Sequence, residues 1–398
     1  MSTLSITDID LHGKRVLMRV DYNVPINDQD GITDDTRIRA SLPTLKHIFD
    51  HGGRAILMSH LGRPKGITES LRLKPVAERL SELLGQKVQY ATDTIGPEVL
   101  EPVNALKNGE CLLLENIRFY PEETENDEAF ARALAALGEI YVNDAFGTAH
   151  RAHASTEGVV HYMSTCAAGL LMQKELDYLA THVNHPKRPF VVILGGAKVS
   201  DKIAVTQRLL DIADTVIIGG GMAYTFLKSQ GEDIGNSLLD EPHLNFAAEM
   251  INLAKSAGKN LLLPTDHVIA EAFDKEPTVQ VVSHVLEGWM GLDIGPETRN
   301  QFVQAIQQAG TILWNGPMGV SEITAFSRGT AEVGQAIAQA TDHGAISIIG
   351  GGDTAAAVNK LGLETRMSHI STGGGASLEL LEGRDLPGVR ALQVRSDR

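Results

Sequence analysis

The sequence predicts an α/β protein with two similar-sized domains, each a three-layer, Rossmann-like arrangement around a parallel sheet. Short apolar segments of strand type alternate with segments whose apolar residues recur every three or four positions. Several strand segments are continuous runs of Val, Ile and Leu, such as FVVIL at 190–194. Such runs are typical of parallel strands covered by helices on both faces.

The individual elements follow from the same two patterns. Apolar runs predict strands at 16–20, 55–59, 112–114, 140–143, 190–194, 216–218, 261–263, 312–314 and 346–349. The three- and four-residue spacing predicts helices that include 74–84, 129–137, 203–213 and 331–340.

A helix followed by two prolines divides the chain near its middle. Residues 169–183 carry an apolar stripe, and NHPKRP at 184–189 ends the helix because proline lacks the amide hydrogen that a helix needs. We therefore predict an N-terminal domain of residues 1–168, a linking helix at 169–185 and a C-terminal domain of residues 186–383.

Composition narrows the class of protein. The chain has 398 residues, 43% of them hydrophobic, and only two cysteines, which excludes a disulfide framework. Its net charge of −15 argues against a nucleic-acid surface. The N-terminus has no signal-peptide pattern, and no apolar stretch reaches the length of a membrane span. We expect a cytoplasmic protein that binds neither nucleic acid nor membrane.

Glycine-rich turns recur beside the predicted strands of the second half. They are VVILGGAK (191–198), VIIGGGM (216–222), IIGGGDTAAA (348–357) and STGGGAS (371–377). A helix that starts at such a turn offers unpaired N–H groups, and glycine lets a phosphate approach them closely. The turn at 348–357 is therefore predicted to cradle phosphate. Asp353 in this turn would repel a polyphosphate unless a cation lay between them, so Asp353 is a candidate Mg²⁺ ligand. Taken by itself, an aspartate at this position is more typical of a helix cap.

Two lysines follow the first of these turns. Lys198 and Lys202 are four residues apart, so a helix that begins near Lys198 would place both amines on one face at its N-terminal end. Lysine opposes the helix dipole there, and a bound phosphate would remove the conflict.

Arginines and other polar residues follow the strands of the first half. The candidates are Asp21, Asn23, Arg37, His60, Arg63, Arg118 and Arg151. The planar guanidinium group bonds phosphate and carboxylate in pairs, and the histidines lack the spacing of metal ligands. One half therefore suits a small anion and the other a nucleotide phosphate, which together indicate phosphoryl transfer.

Two other functions fit parts of the sequence. Gly350, Gly352 and Ala355 satisfy a loose G-x-G-x-x-A, which favours an NAD-dependent dehydrogenase, but the acidic residue expected about 20 positions later is missing. A two-domain binding protein that closes around an anion is a non-enzymatic alternative, and the missing signal peptide argues against it.

With these residues the chain resembles the phosphoglycerate kinase family, bacterial type, over nearly its whole length. The motifs that carry the resemblance are RVDYNVP, SHLGRP, LLLENIRFYPEE, VNDAFGTAHRAHAS, LGGAKVSDKI, IIGGGMAYTFL, LPTDHVIA, WNGPMGV, IIGGGDTAAAV and STGGGASLELLEG. Tyr22 and Ser321 depart from it, because the family more often has phenylalanine and an aromatic residue there.

The resemblance implies a reversible reaction of glycolysis and gluconeogenesis. In it, a phosphoryl group passes between ATP and the 1-carboxylate of 3-phosphoglycerate, giving ADP and 1,3-bisphosphoglycerate. It also implies Mg²⁺ as cofactor, a monomer, closure of the two domains about a hinge, and return of residues 384–398 to the first domain.

The resemblance further implies roles for individual residues. The substrate contacts would be Asp21, Asn23, Arg37, His60, Arg63, Arg118 and Arg151. Arg37, Lys198 and Gly374 would surround the transferred phosphoryl group. The nucleotide contacts would be Gly196, Ala197, Lys202, Gly220, Gly221, Asn315, Pro317, Glu322, Gly351, Gly352, Asp353 and Thr354, with Asp353 holding Mg²⁺.

Overall fold

Parallel sheets form the centres of the two units into which the chain divides. The computed structural model describes residues 3–27, 31–274 and 277–393. The first unit runs to Leu176 and includes the segment that begins at Asp385, and the second spans Asp177–Arg384.

The first unit contains a six-stranded parallel sheet and a small antiparallel hairpin. Its strands are β1 (Arg15–Arg19), β2 (Ile26–Asn27), β3 (Gly31–Ile32), β4 (Arg54–Met58), β5 (Val88–Tyr90), β6 (Cys111–Leu113), β7 (Ile140–Asn143) and β8 (Cys166–Ala168). The sheet order is β5-β6-β4-β1-β7-β8, and β2 pairs with β3 in the hairpin. Strand β1 thus lies between β4, the next strand of this sheet along the chain, and the more distant β7. The strand order reverses beside β1, and in open parallel sheets ligands bind in the crevice at such a reversal.

Helices accompany the sheet of the first unit. They are α1 (Thr36–Asp50), α2 (Lys74–Leu84), α3 (Pro97–Ala105), α4 (Glu122–Glu125), α5 (Glu128–Ala135) and α6 (Leu170–Leu176). Helix α2 illustrates why they form: Val76, Ala77 and Leu80 share one buried face, and the left-handed Gly85 ends the helix.

The second unit has its own six-stranded parallel sheet. The strands of this unit are β9 (Phe190–Leu194), β10 (Thr215–Ile218), β11 (Asn260–Leu262), β12 (His267–Ala270), β13 (Gln280–Val282), β14 (Met290–Ile294), β15 (Thr311–Asn315), β16 (Ile346–Gly350) and β17 (His369–Ile370). The parallel sheet has the order β11-β10-β9-β15-β16-β17, which is that of doubly wound nucleotide-binding folds. Strands β9 and β15 are buried along their whole length, as expected between two covering layers.

The helices of the second unit include long amphipathic ones on the chain between these strands. They are α7 (His182–Asn184), α8 (Ile203–Ile212), α9 (Met222–Ser229), α10 (Leu244–Ser256), α11 (Pro296–Gln307), α12 (Arg328–Asp342), α13 (Gly352–Lys360) and α14 (Gly375–Leu381). None of the helices in the described ranges is both long and apolar enough to cross a membrane.

The predicted α/β class with two parallel sheets is confirmed, and the sequence patterns missed the least regular strands. Strands β5, β8 and β17 have two or three residues each, too few for a periodic signal. The antiparallel sheet β13-β12-β14 was also not predicted. Its edge strand β13 is largely exposed, so it carries no apolar run.

The helical segment around residue 176 is less regular than its apolar stripe indicates. Helix α6 ends at Leu176, a π-helical turn covers Asp177–Thr181, and α7 follows. The last described helix, α15 (Pro387–Arg390), belongs to the first unit, where the Gly388 amide donates to the Ala149 carbonyl at 2.8 Å.

We expect the second unit to depend on the packing of β9. Ile193 is fully buried in its core, so Ile193→Ala should lower the free energy of unfolding by about 2–5 kcal/mol. Val281 is 57% exposed, and Val281→Ala should change it by less than about 0.5 kcal/mol. Urea-induced unfolding of both variants tests this, and equal losses of stability would contradict it.

Candidate active site

In the first unit, a cluster of polar side chains lies just beyond the carboxyl end of β1. Arg37, in the first turn of α1, makes an ion pair with Asp21 at 3.2 Å and donates to the Asn23 carbonyl at 3.0 Å. The Asn23 side chain accepts from the Gly62 amide, which follows β4, at 2.8 Å. The structure therefore brings together predicted residues from α1 and from the turns after β1 and β4.

Three predicted arginines line one cavity of the first unit. This cavity of about 660 Å³ is bordered by Arg63, Arg118 and Arg151, together with Lys65 and His153. Arg118 donates to the Gly62 carbonyl at 2.8 Å, but its buried Nε has no hydrogen-bond partner. The cavity is thus lined by cations with an unsatisfied donor, which suits an anion.

The arginines of this region repel one another, so each destabilises the charged form of its neighbours. Burial, together with the nearby positive charges of Arg19 and Arg151, lowers the pKa of Arg118 to about 10. Burial and the same type of neighbour lower the pKa of His153 to about 4. A bound phosphate or carboxylate would relieve this repulsion, so the electrostatics favour an anionic ligand.

The sequence patterns missed Arg19, a fully buried residue at the end of β1. Its Nε donates to the Ser155 hydroxyl at 2.8 Å, and this hydroxyl donates to the buried Glu123 carboxylate at 2.6 Å. Arg19 also lies 3.3 Å from His60 Nδ1. An arginine that directly follows the apolar run Val16–Met18 and precedes Val20 is the signal that could have revealed it.

His60 is buried and neutral in this environment. Burial, followed by the charges of Arg19 and Arg118, holds its pKa well below the usual value. Because the Arg19 guanidinium can only donate, Nδ1 accepts and Nε2 carries the proton. His60 is therefore a hydrogen-bond donor rather than a cation.

In the second unit, the turns after β9 and β15 are bonded to each other at the reversal point of the sheet. The Gly195 amide donates to the Asn315 carbonyl at 3.0 Å, and the Gly196 amide donates to the Pro317 carbonyl at 3.1 Å. Lys202 Nζ donates to the Gly195 and Asn315 carbonyls at 2.6 and 2.8 Å. Burial lowers the pKa of this amine to about 8. A cation thus lies where the fold predicts a phosphate site.

The expected helix start near Lys198 is wrong. The chain first makes a 3₁₀ turn at Ser200–Lys202, and α8 begins at Ile203. Lys198 precedes the turn and is exposed. The two lysines therefore do not share one helical face, because Lys202 is drawn to the carbonyls of the sheet edge.

The glycines of the predicted cradles fall into two groups. A Cβ at Gly220 would lie 2.6 Å from the Gly196 amide, and one at Gly221 would lie 2.9 Å from the Ala197 carbonyl. These glycines are required by packing of one turn on another. A Cβ at Gly352 or Gly374 would meet no protein atom within 4 Å.

The open glycines differ in backbone conformation. Gly351 and Gly374 precede α13 and α14 with φ values of +87° and +53°, which favour glycine. The φ of Gly352 is not positive, and a Cβ there would have no close neighbour. Neither backbone conformation nor packing therefore requires glycine at this position. The absence of a side chain at position 352 leaves room for a ligand beside the start of α13.

Asn315 and Thr354 stand beside this turn. Asn315 is 3% exposed, and its side-chain nitrogen is buried without a hydrogen-bond partner. The buried Thr354 hydroxyl accepts from the Gly316 amide at 2.7 Å, so it holds the turn after β15. An unpaired buried donor such as Asn315 Nδ2 indicates a missing acceptor.

A cavity of about 530 Å³ is lined by several predicted nucleotide contacts, although Asn315, which was predicted to contact the nucleoside, does not line it. Its lining includes the predicted Gly196, Ala197, Gly220, Gly221, Pro317, Glu322 and Asp353. It also includes Leu238 and Phe273, which no motif indicated; both are substantially exposed apolar side chains. Lys198, Gly352 and Gly374 are not part of this lining within the described ranges.

Asp353 fits a Mg²⁺ ion that is bound mainly by phosphates. It lies in the first turn of α13 and is exposed. The described residues contain no group of three or more His, Cys, Asp or Glu that could hold a metal by themselves. Mg²⁺ commonly binds through one or two carboxylates plus substrate phosphates and waters, and one exposed carboxylate is consistent with that donor set.

Comparison with known proteins gives one family. A phosphoglycerate kinase family model matches residues 6–384. The chain belongs to the phosphoglycerate kinase family. It is 56% identical to phosphoglycerate kinase of Chlorobaculum tepidum over 395 residues, covering 98% of this chain and 100% of that one. It is 54% identical to the cytosolic phosphoglycerate kinase of Nicotiana tabacum, over 98% of this chain and 97% of that one.

Solved phosphoglycerate kinases have the same fold. The structure from Coxiella burnetii matches with a TM-score of 0.90 at 40% identity, covering 98% of this chain and 99% of that one. That from Pyrococcus horikoshii matches with a TM-score of 0.83 at 34% identity, covering 98% of each chain. The predicted phosphotransferase function is confirmed, and the dehydrogenase alternative receives no support. The roles of individual residues stay predictions.

We expect Arg19 and Glu123 to behave as a coupled buried pair. Arg19→Met removes the strongest positive charge that acts on the buried Glu123 carboxylate, and should lower the free energy of unfolding by about 3–5 kcal/mol. Adding Glu123→Gln should recover part of the loss. Arg132→Met, which breaks an exposed pair with Glu128, should cost less than about 1 kcal/mol. Urea-induced unfolding measures all three, and a double variant no more stable than Arg19→Met would contradict the coupling.

Proposed function

We propose that this chain transfers a phosphoryl group between ATP and the 1-carboxylate of 3-phosphoglycerate, with the acid bound by the first unit and the nucleotide by the second. The observation that carries the proposal is the arginine-lined cavity of the first unit, with its lowered Arg118 pKa. Small dianionic ligands satisfy such a cavity, whereas neutral ligands leave its charges unpaired.

Each half of the acid has suitable partners in the first unit. Arg63, Arg118 and Arg151 bind the non-reacting 3-phosphate, since all three line the same cavity. Asp21, Asn23, Arg37 and His60 hold the glycerate part. The neutral His60 donates from Nε2, and Asp21 orients Arg37 through their ion pair.

The nucleotide is held in the second unit mainly by backbone groups. Lys202, Asn315 and the start of α13 at Gly351, Gly352 and Thr354 bind its phosphates, because the unpaired Asn315 donor and the open space at Gly352 both call for an acceptor. The nucleoside occupies the 530 Å³ cavity between Gly196, Ala197, Gly220, Gly221 and Pro317, with Glu322 on the ribose.

Asp353 would hold Mg²⁺ when the nucleotide is bound. The ion would supply positive charge that offsets part of the phosphate charge. The carboxylate would otherwise repel the nucleotide from the start of α13.

The chemistry needs no general base. A carboxylate oxygen of 3-phosphoglycerate forms a bond to the γ-phosphorus while the bond from that phosphorus to the oxygen bridging to ADP breaks. The nucleophile is already an anion, so no proton is removed. Catalysis then consists of positioning and of offsetting negative charge, for which Arg37, Lys198 and the amide groups at Gly374 are available.

Closure of the two units about the helical segment at 169–185 completes the site. Each substrate binds one unit, and transfer requires the reacting atoms to be about 3 Å apart. Closure also keeps water from the phosphoryl group. We further propose that the protein acts as a cytoplasmic monomer, in keeping with its similarity to the cytosolic phosphoglycerate kinase of Nicotiana tabacum and with the family resemblance.

Activity is tested by ATP-dependent formation of 1,3-bisphosphoglycerate. Asp353→Ala should weaken MgATP binding, and Arg37→Ala or Lys198→Ala should lower turnover on the order of 100-fold or more. Arg39→Ala is the matched control, since Arg39 pairs with Asp35 on the exposed side of α1 and should leave turnover near wild type. Wild-type turnover in Lys198→Ala would remove that lysine from the mechanism.

Closure is tested by small-angle X-ray scattering. The radius of gyration should fall when both 3-phosphoglycerate and a non-hydrolysable ATP analogue are bound, and fall less with either alone. An unchanged radius with both ligands at saturation would rule closure out.

A further inference from the structure

A buried carboxylate in the second unit has no role in the proposed chemistry. Asp293 lies in β14 and is 2% exposed, yet its side chain lines the 530 Å³ cavity. Its Oδ1 accepts from the Ile294 amide at 2.9 Å, and its Oδ2 accepts from the Gly329 amide at 2.8 Å. Each oxygen is thus used by a different N–H group.

The bond from the Gly329 amide attaches one loop to β14. We call residues 316–329 the β15–α12 loop; its last residue, Gly329, lies in the first turn of α12. The Val320 amide donates to the Leu292 carbonyl at 3.0 Å, next to Asp293 in β14. A side chain at Gly319 or Gly329 would collide with the Asp293 carboxylate. The loop therefore passes close to this carboxylate at both Gly319 and Gly329.

The same loop carries the proposed nucleoside contacts. Pro317 and Glu322 lie in it, and both line the cavity that Asp293 also lines. The Asp293 bond to α12 fixes the end of the loop that follows Glu322. The position of Glu322 thus depends on how well the Gly329 N–H group is held.

We propose that Asp293 is a positioning residue for the nucleotide: its carboxylate form holds the β15–α12 loop in the binding conformation through the Gly329 N–H group, and its protonated form releases that group. The inference rests on the proposed function, because it assumes that Pro317 and Glu322 contact the nucleotide. A proton on Oδ2 leaves that oxygen a poor acceptor for the Gly329 N–H group, so the end of the loop at α12 loses its attachment.

The surroundings of Asp293 place this change near neutral pH. Burial raises the pKa of Asp293 to about 7, against the opposing effect of the Gly329 and Ile294 amides. Arg299 of α11 favours the charged form, Glu332 of α12 disfavours it, and Tyr224 of α9 is the other titratable group that senses it. Since the pKa lies far above the usual value for aspartate, protonation occurs as pH falls through about 7. Nucleotide affinity should therefore weaken between pH 8 and pH 6.

The test compares Asp293→Asn with the wild type and with a matched control. Asparagine has one acceptor oxygen and a donating nitrogen, so it imitates the protonated acid. At pH 8 the KM for ATP should rise about five- to tenfold, with kcat and the KM for 3-phosphoglycerate little changed. From pH 8 to pH 6 the KM of the variant should change less than that of the wild type. ADP affinity from titration calorimetry should follow the same course.

Asp266→Asn is the control. Asp266 is also buried, and it accepts from the Glu297 and Thr298 amides at the start of α11, but it is not in the cavity lining within the described ranges. It should lose stability without the selective change in the KM for ATP, and thermal unfolding of both variants confirms that they fold.

The outcomes separate the two proposals. A wild-type protein without ATP-dependent phosphorylation of 3-phosphoglycerate overturns the proposed function. An active wild type with Asp293→Asn indistinguishable from it, or from Asp266→Asn, overturns the role of Asp293 alone. Loss of kcat with both KM values unchanged would also overturn it, because that pattern belongs to a residue acting on the transferred group.

Discussion

Hydrogen bonds between the turn after β9 and the turn after β15 are the constraint on which the second unit's candidate site depends. Parallel strands end at the same edge of a sheet, and at the reversal of strand order no crossover helix fills the space beyond them. Two amide–carbonyl hydrogen bonds connect the two turns that border this space, and Lys202 donates to a carbonyl of each turn. The packing of these turns leaves no room for a Cβ at Gly220, so glycine is required there before any ligand is considered.

The candidate phosphate sites of the two units rest on different physical interactions. The first concentrates guanidinium groups, and burial together with their mutual repulsion lowers the pKa of Arg118 to about 10. The buried Arg19 adds positive charge to this region. Its hydrogen bond to Ser155, which in turn donates to the Glu123 carboxylate, allows the guanidinium group to remain buried. The second unit relies on backbone amides, helix starts and one lysine. Fixed amide dipoles bind a polyphosphate without the self-repulsion that several arginines would create.

Carboxylates act in both units as supports for these anion sites. Asp21 holds Arg37, Glu123 holds the Arg19 network and Asp293 holds the β15–α12 loop. Each of these carboxylates lies beside a positively charged group or an N–H donor and stabilises it. Each also adds negative charge near a candidate anion site, which opposes anion binding. The absence of a catalytic acid–base pair from the motifs agrees with a nucleophile that is already an anion.

The sequence by itself determined the fold class, the main strands and most candidate residues. These depend on local properties: apolar runs, helical spacing, glycine-rich turns and ordered motifs that resemble one family. Only the tertiary structure decided which glycines are needed for packing, where Lys202 points, that Arg19 and Glu123 are buried together, and that Asp293 supports a loop 23 to 36 residues further along the chain. The physical reason is that burial and hydrogen-bond partners arise from contacts between distant segments. The two partners of each contact lie far apart in the sequence, so the local periodicity of neither segment indicates the contact.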